Sequence, residues 1–133
     1  MRVHFLLRSS RDKTTQVILE SFFLRFREAN TLIYCITSIL LIAVAPSEDE
    51  LLFHQELLTM AVQSPSFRYL PLVIPGGEAE SVERTLAMLR PLVEGQPKVI
   101  PMISGTKGFV RPLRAGVMEF GYDRKEVKTE TFD

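Results

Sequence analysis

Apolar runs and helix-patterned segments alternate along this chain. Val3–Leu7, Leu32–Val44, Phe67–Ile74 and Val99–Ile103 are separated by stretches in which apolar residues recur at helical spacing. This alternation specifies a mainly parallel sheet, because each parallel pair needs a long crossover and a helix supplies it. Inner strands of such a sheet are covered on both faces, so they read as unbroken apolar sequence. A short alternating segment after Val127 completes the pattern. The expected fold is α/β, with a five-stranded mainly parallel sheet between layers of helix. At 133 residues the chain is read as one domain spanning residues 1–133.

Local signals place the helices. Ser10 or Asp12 can cap a helix over about residues 14–28. Ser47-Glu-Asp-Glu50 has the form of a capping box and predicts a helix start there. Ser64-Pro65 closes that helix, and Pro75-Gly-Gly77 reads as a turn. A further helix is expected over 78–93, disturbed near Pro91, and a last one over 109–120. Gly121 then stands in the usual position after a helix end, and Pro112 is expected in the first turn.

Composition narrows the function classes. Sixteen basic side chains balance sixteen acidic ones, leaving no field to recruit nucleic acid or anionic lipid. One cysteine, Cys35, forms no internal disulfide, and two histidines with it make a poor zinc set. A reducing, cytoplasmic location is expected. The start of the chain is too short an apolar run for a signal peptide. The run from Thr31 to Ala45 holds fifteen uncharged residues, below the ~20 of a membrane-crossing helix, and is rich in β-branched residues. Buried strand is the favoured reading, with a membrane segment as the lesser one.

The chemistry concentrates in Ser104-Gly-Thr-Lys-Gly108, between the fourth strand and the last helix. A strand, a glycine-bearing turn and a helix start can receive a nucleotide, because first-turn N–H groups face whatever sits above the strand. Gly105 lets the backbone approach a ligand closely. The alternative is a turn that needs glycine for its geometry alone.

These residues also carry a resemblance. Ser104-Gly-Thr-Lys-Gly-Phe109, Leu113, Glu119-Phe-Gly121 and Lys128-Thr-Glu-Thr-Phe132 resemble the end of the ferredoxin–NADP reductase family, in its nicotinamide-binding domain. The usual pattern there is Cys-Gly-Pro-Lys-Gly-Met, a helix ending in Leu-Gly, and Thr-Glu-aromatic. Ile39–Ala45, Glu48–Leu58 and Phe67–Val73 resemble the same domain's second strand, following helix and third strand. The match covers about residues 39–133 well and residues 1–38 poorly. It implies a Rossmann-like three-layer fold that binds NAD or NADP at the carboxyl ends of the first and fourth strands. Ser104 would take the place of the cysteine beside the nicotinamide, as the candidate catalytic residue. Ser9, Ser10, Ser104, Gly105, Thr106, Lys107, Gly108 and Phe132 are the implied cofactor-binding positions, Phe132 as the aromatic that can cover a flavin.

Three departures matter. The loop after the first strand, Arg8-Ser-Ser-Arg-Asp-Lys-Thr-Thr15, has no glycine where the family has Gly-Thr-Gly-x-Ala-Pro; Arg8, Arg11 and Lys13 offer point charges to phosphate instead. The position of the family's 2′-phosphate-binding Ser-Arg reads Ile74-Pro-Gly-Gly77, leaving Arg68 and Arg84 as substitutes and NAD against NADP open. No flavin domain is present in the sequence, so FAD enters only through a partner chain, a flavin-domain or electron-carrier protein. Two alternatives stand beside this reading. One is a non-catalytic interaction module of the same fold that forms a homodimer; the other is a nucleotide sensor using Arg8, Arg11 and Lys13. His54 reads as a helix-edge residue and Cys35 as buried and inert.

Overall fold

In the computed structural model, residues 2–8, 38–65, 67–94 and 99–131 are described, residues 2–8 and 38 by their backbone alone. The sequence-predicted helix over 14–28, the loop carrying Ser9, Ser10, Arg11 and Lys13, and Cys35 and Phe132 lie outside these residues. Five strands, β1 (Arg2–Arg8), β2 (Ser38–Ala45), β3 (Phe67–Val73), β4 (Val99–Gly105) and β5 (Lys128–Thr131), form one sheet in the order β3-β2-β1-β4-β5. Every neighbouring pair is parallel. β1 sits in the middle, with Val3 beside Ile39 on one side and Ile100 on the other.

Among the described residues three α-helices pack on the sheet: α1 (His54–Gln63), α2 (Gly77–Val93) and α3 (Lys107–Glu119). Strand periodicity sorts the core into two layers. Leu40, Ile42 and Val44 of β2 point to one face, where they pack with Val82, Leu89 and Val93 of α2 and Phe109, Val110, Leu113 and Val117 of α3. Leu41, Ala43 and Ala45 point to the other, against Leu57 of α1 and Phe67 and Tyr69 of β3. Burial on both faces is why Ile39–Ala45 is apolar without interruption. On α3 the buried positions fall at i, i+1, i+4 and i+8, one stripe of a helix.

Several sequence-based boundaries shift, each for a local reason. The Ser47 box does not start α1. Ser47 Oγ donates to Glu50 Oε2 at 3.1 Å, Glu48–Glu50 forms a single 3₁₀ turn, and Phe53 at φ 56° turns the chain before the helix begins at His54. α3 begins at Lys107 rather than Phe109, so Pro112 lies beyond its first turn and removes the N–H that would bond the Gly108 carbonyl. Pro91 falls in the last turn of α2. Gly121 takes φ 109° after α3, the left-handed conformation expected of a helix stop. The segment it releases is held by Tyr122, whose buried hydroxyl donates to the Val93 carbonyl at 3.1 Å. β5 is exposed at all four positions, so the alternation read in its sequence is not an alternation in burial.

Leu89, 1% exposed, lies at the contact of α2 with the sheet and α3. Leu89→Ala is expected to destabilise the domain by about 2–5 kcal/mol, measured as a shift of the urea midpoint at unchanged slope.

Candidate functional site

Strand order reverses direction between β1 and β4. The chain builds outward from β1 through β2 to β3, then returns across the sheet to β4 and continues to β5. In open parallel sheets such a switch, at the carboxyl ends of two neighbouring strands, is where ligands commonly lie. The Ser104–Gly108 segment stands at that point.

Its residues are more tightly built than a loop. β4 continues to Gly105, so Ser104 and Gly105 are strand residues, in register with Glu130 and Thr131 of β5. Thr106 alone separates β4 from α3. Gly105 is at φ 156°, a backbone setting that side chains disfavour, and Thr106 returns to φ −68° as the helix cap. The Thr106 carbonyl accepts from the N–H groups of Phe109 and Val110 at 3.1 and 2.8 Å.

Ser104 is 2% exposed, and its Oγ is buried without a hydrogen-bond partner among the described residues. A buried hydroxyl lacking a partner is costly unless something else supplies one. Alternation along β4 puts Ser104 on the sheet face of Ala43 and Leu7, with which it shares a register row through β1. Thr106 and Gly108 border the rim, and Lys107 and Gly108 are exposed.

An unexpected carboxylate completes this corner. Glu78, the second residue of α2, accepts a hydrogen bond from the Thr106 hydroxyl. The same carboxylate lies so close to Gly108 that a methyl group there would collide with it. An internal carboxylate therefore lies against the first turn of α3. Sequence reasoning missed Glu78 because the contact spans 28 residues and joins two helix starts. It missed Glu130 too, because only the β4–β5 register shows that this exposed carboxylate lies beside Ser104.

The remaining sequence candidates disperse. Arg68 lies near the amino end of β3, five residues before Val73 and so roughly 16 Å from the carboxyl rim. Arg84 pairs with Glu80 at 3.6 Å on the exposed side of α2. Ile74, at the start of the segment expected to read a 2′-phosphate, is buried and donates its N–H to the Ala45 carbonyl at 2.8 Å. His54 is not merely an edge residue. Its Nδ1 is 2.9 Å from the Tyr69 hydroxyl and its Nε2 3.8 Å from Glu48 Oε1, which ties α1 to β3. Burial pushes the Tyr69 phenol up to about 12. Among the described residues no cluster of three His, Cys, Asp or Glu side chains is placed to hold a metal ion, and no helix is long and apolar enough to cross a membrane.

These features define a Rossmann-like α/β domain with its candidate site at the strand-order switch. No protein-family model matches the chain, and no curated protein matches it. Solved structures do. A flavohemoglobin from Malassezia yamatoensis, with bound FAD and heme, superposes with a TM-score of 0.67 at 16% identity, covering 99% of this chain and 31% of that one. Ferredoxin-NADP+ reductase from Plasmodium falciparum gives 0.64 at 16% identity, over 99% of this chain and 53% of that one. The same reductase with 2′P-AMP gives 0.57 at 18% identity, over 98% and 53%. The chain thus shares the fold of one part of each protein and spans about a third to a half of their length. The resemblance read from Ser104–Phe109 and the closing strand is matched at the level of fold.

Two outcomes follow from the site. Ser104→Ala removes a buried hydroxyl with no partner among the described residues, so unfolding free energy without ligand is expected to hold or rise by about 1 kcal/mol in urea denaturation. The raised Tyr69 pKa favours the neutral phenol in the folded state, so its contribution is complete below about pH 10 and is lost as pH climbs toward 12. Absorbance titration should show one tyrosine ionising near pH 12, absent in Tyr69→Phe.

Proposed function

We propose that this chain is the dinucleotide-binding domain of an NAD(P)-dependent oxidoreductase, lying across the carboxyl ends of β1 and β4. The observation that carries the reading is the position of Ser104–Gly108 at the switch point of a β3-β2-β1-β4-β5 parallel sheet. The solved structures with this fold include one bound to FAD and heme and one bound to 2′P-AMP, which supports a nucleotide cofactor here.

The residues present fit a nicotinamide better than a phosphate at the β4 end. Ser104 offers a buried hydroxyl that lacks a partner among the described residues and can hydrogen-bond an uncharged carboxamide. Gly105 leaves room for close approach, and Thr106, Lys107 and Gly108 would line the rim beside it. A nicotinamide dinucleotide, when bound, supplies a hydride for transfer to an acceptor. The chain's own part is to orient the ring and keep its surroundings dry, a positioning role that Ser104 serves without acid or base chemistry. Phosphates would lie toward β1, where Arg8, Arg11 and Lys13 follow in sequence. NAD and NADP both remain within the proposal. FAD, in this reading, is held by a flavin-binding unit outside residues 1–133, and a flavin-domain or electron-carrier partner protein is one source of it.

Calorimetric titration with NADH and with NADPH tests the proposal. At least one is expected to bind with a dissociation constant below the millimolar range, and Ser104→Ala to weaken it several-fold while leaving the fold intact. No heat at millimolar concentrations of either would overturn it.

A further inference from the structure

The turn that carries Ser104 and Gly105 into α3 is held from outside its own helix. Thr106 alone joins β4 to α3, and as the cap residue it makes no side-chain bond to the helix it caps. In a capping box the third helical residue supplies the cap with a carboxylate. Here that residue is Phe109, fully buried in the core and unable to do so. Glu78, in the first turn of α2, takes the part instead and accepts a hydrogen bond from the Thr106 hydroxyl. Its carboxylate occupies the space that a side chain at Gly108 would need. A second contact fixes the register of the two helices. Leu86 lies against Gly116, where an added Cβ would stand 2.5 Å from Leu86 Cδ1. Glu78 and Leu86 are about two turns apart on α2, and Gly108 and Gly116 are spaced alike on α3. Each of these α2 side chains thus meets a glycine of α3, which holds Glu78 opposite Thr106.

We propose that Glu78 is a positioning residue for the proposed dinucleotide site: through Thr106 it fixes the turn on which Ser104 and Gly105 are set. In this role it need not touch the ligand. Ser104 belongs to the sheet face of Ala43 and Leu7, whereas α2 and α3 pack on the other. The influence passes along the chain, since Gly105, with φ 156° and no Cβ, gives the turn little stiffness of its own. The inference rests on the dinucleotide reading for its ligand, but not for the contact between the helices.

Glu78→Ala removes the acceptor, Glu78→Gln keeps one, and Thr106→Val removes the donor; if Glu78→Ala does not fold, Thr106→Val carries the same test. Amide exchange in the folded protein reads the turn directly, because the N–H groups of Phe109 and Val110 bond the Thr106 carbonyl. In Glu78→Ala and Thr106→Val these two amides are expected to exchange about fivefold faster, the effect of a lost helix cap, and in Glu78→Gln at the wild-type rate. Affinity for whichever of NADH or NADPH binds should fall by a similar factor in Glu78→Ala and recover in Glu78→Gln. It should fall no further when Glu78→Ala is added to Thr106→Val. Leu89→Ala is the control: it weakens the whole domain and should leave the affinity unchanged. Unaltered exchange or unaltered affinity in Glu78→Ala, or an equal loss of affinity in Leu89→Ala, overturns the proposal. If the wild type binds neither dinucleotide, the dinucleotide reading fails, and exchange at Phe109 and Val110 alone decides whether Glu78 holds the turn. Faster exchange in Glu78→Ala then upholds that role, and an unchanged rate rejects it.

Discussion

The parallel pairing of β1 with both β2 and β4 is the constraint on which the rest of the molecule depends. Once the neighbours run the same way, every connection must travel back along the sheet, and the helices that carry the chain back all start at one rim. Helix starts are electropositive, so that rim gathers charge whatever side chains line it. The strand order switches between β1 and β4, and in open parallel sheets such a switch is where ligands commonly lie. Position and polarity of the candidate site are thus consequences of strand direction, before any side chain is considered.

Much of the fold was legible in residue order. Ile39–Ala45 announced a strand covered on both sides, and the segment 109–120 announced the last helix, which begins two residues earlier at Lys107. Gly121 marked the helix end through its need for a left-handed backbone. What failed was the local cap signature at Ser47. Its carboxylate partner, Glu50, took the hydroxyl itself, and Phe53 redirected the chain. A motif of four residues cannot reveal whether a serine hydroxyl will accept from a backbone N–H or donate to a carboxylate. The site was half legible. Ser104 and Gly105 stood out by pattern, but the carboxylates that flank them, Glu78 and Glu130, come from other elements and appear only when helix starts and strand registers are brought together.

The likeness to a flavohemoglobin and to a ferredoxin-NADP+ reductase is one of shape, at 16% identity. A shared sheet order says where ligands tend to lie and leaves open what is done with them. The chemistry has to be argued from side chains, and here the side chains are particular. A serine stands where the resembled family carries a thiol. Ile74 begins a segment with no basic residue before Gly77. The Glu78 carboxylate lies beside the start of α3. Together they set this corner apart from the pattern of the resembled family.

The two rims of the sheet have one more consequence. β3 forms one border and carries Pro71 in mid-strand, where the missing N–H interrupts any further ladder. β5 forms the other and is only four residues long, with Lys128 and Glu130 exposed along it. Neither border is a template for adding a foreign strand. Any contact with another domain or chain would therefore use the helical faces or the carboxyl rim rather than an added strand.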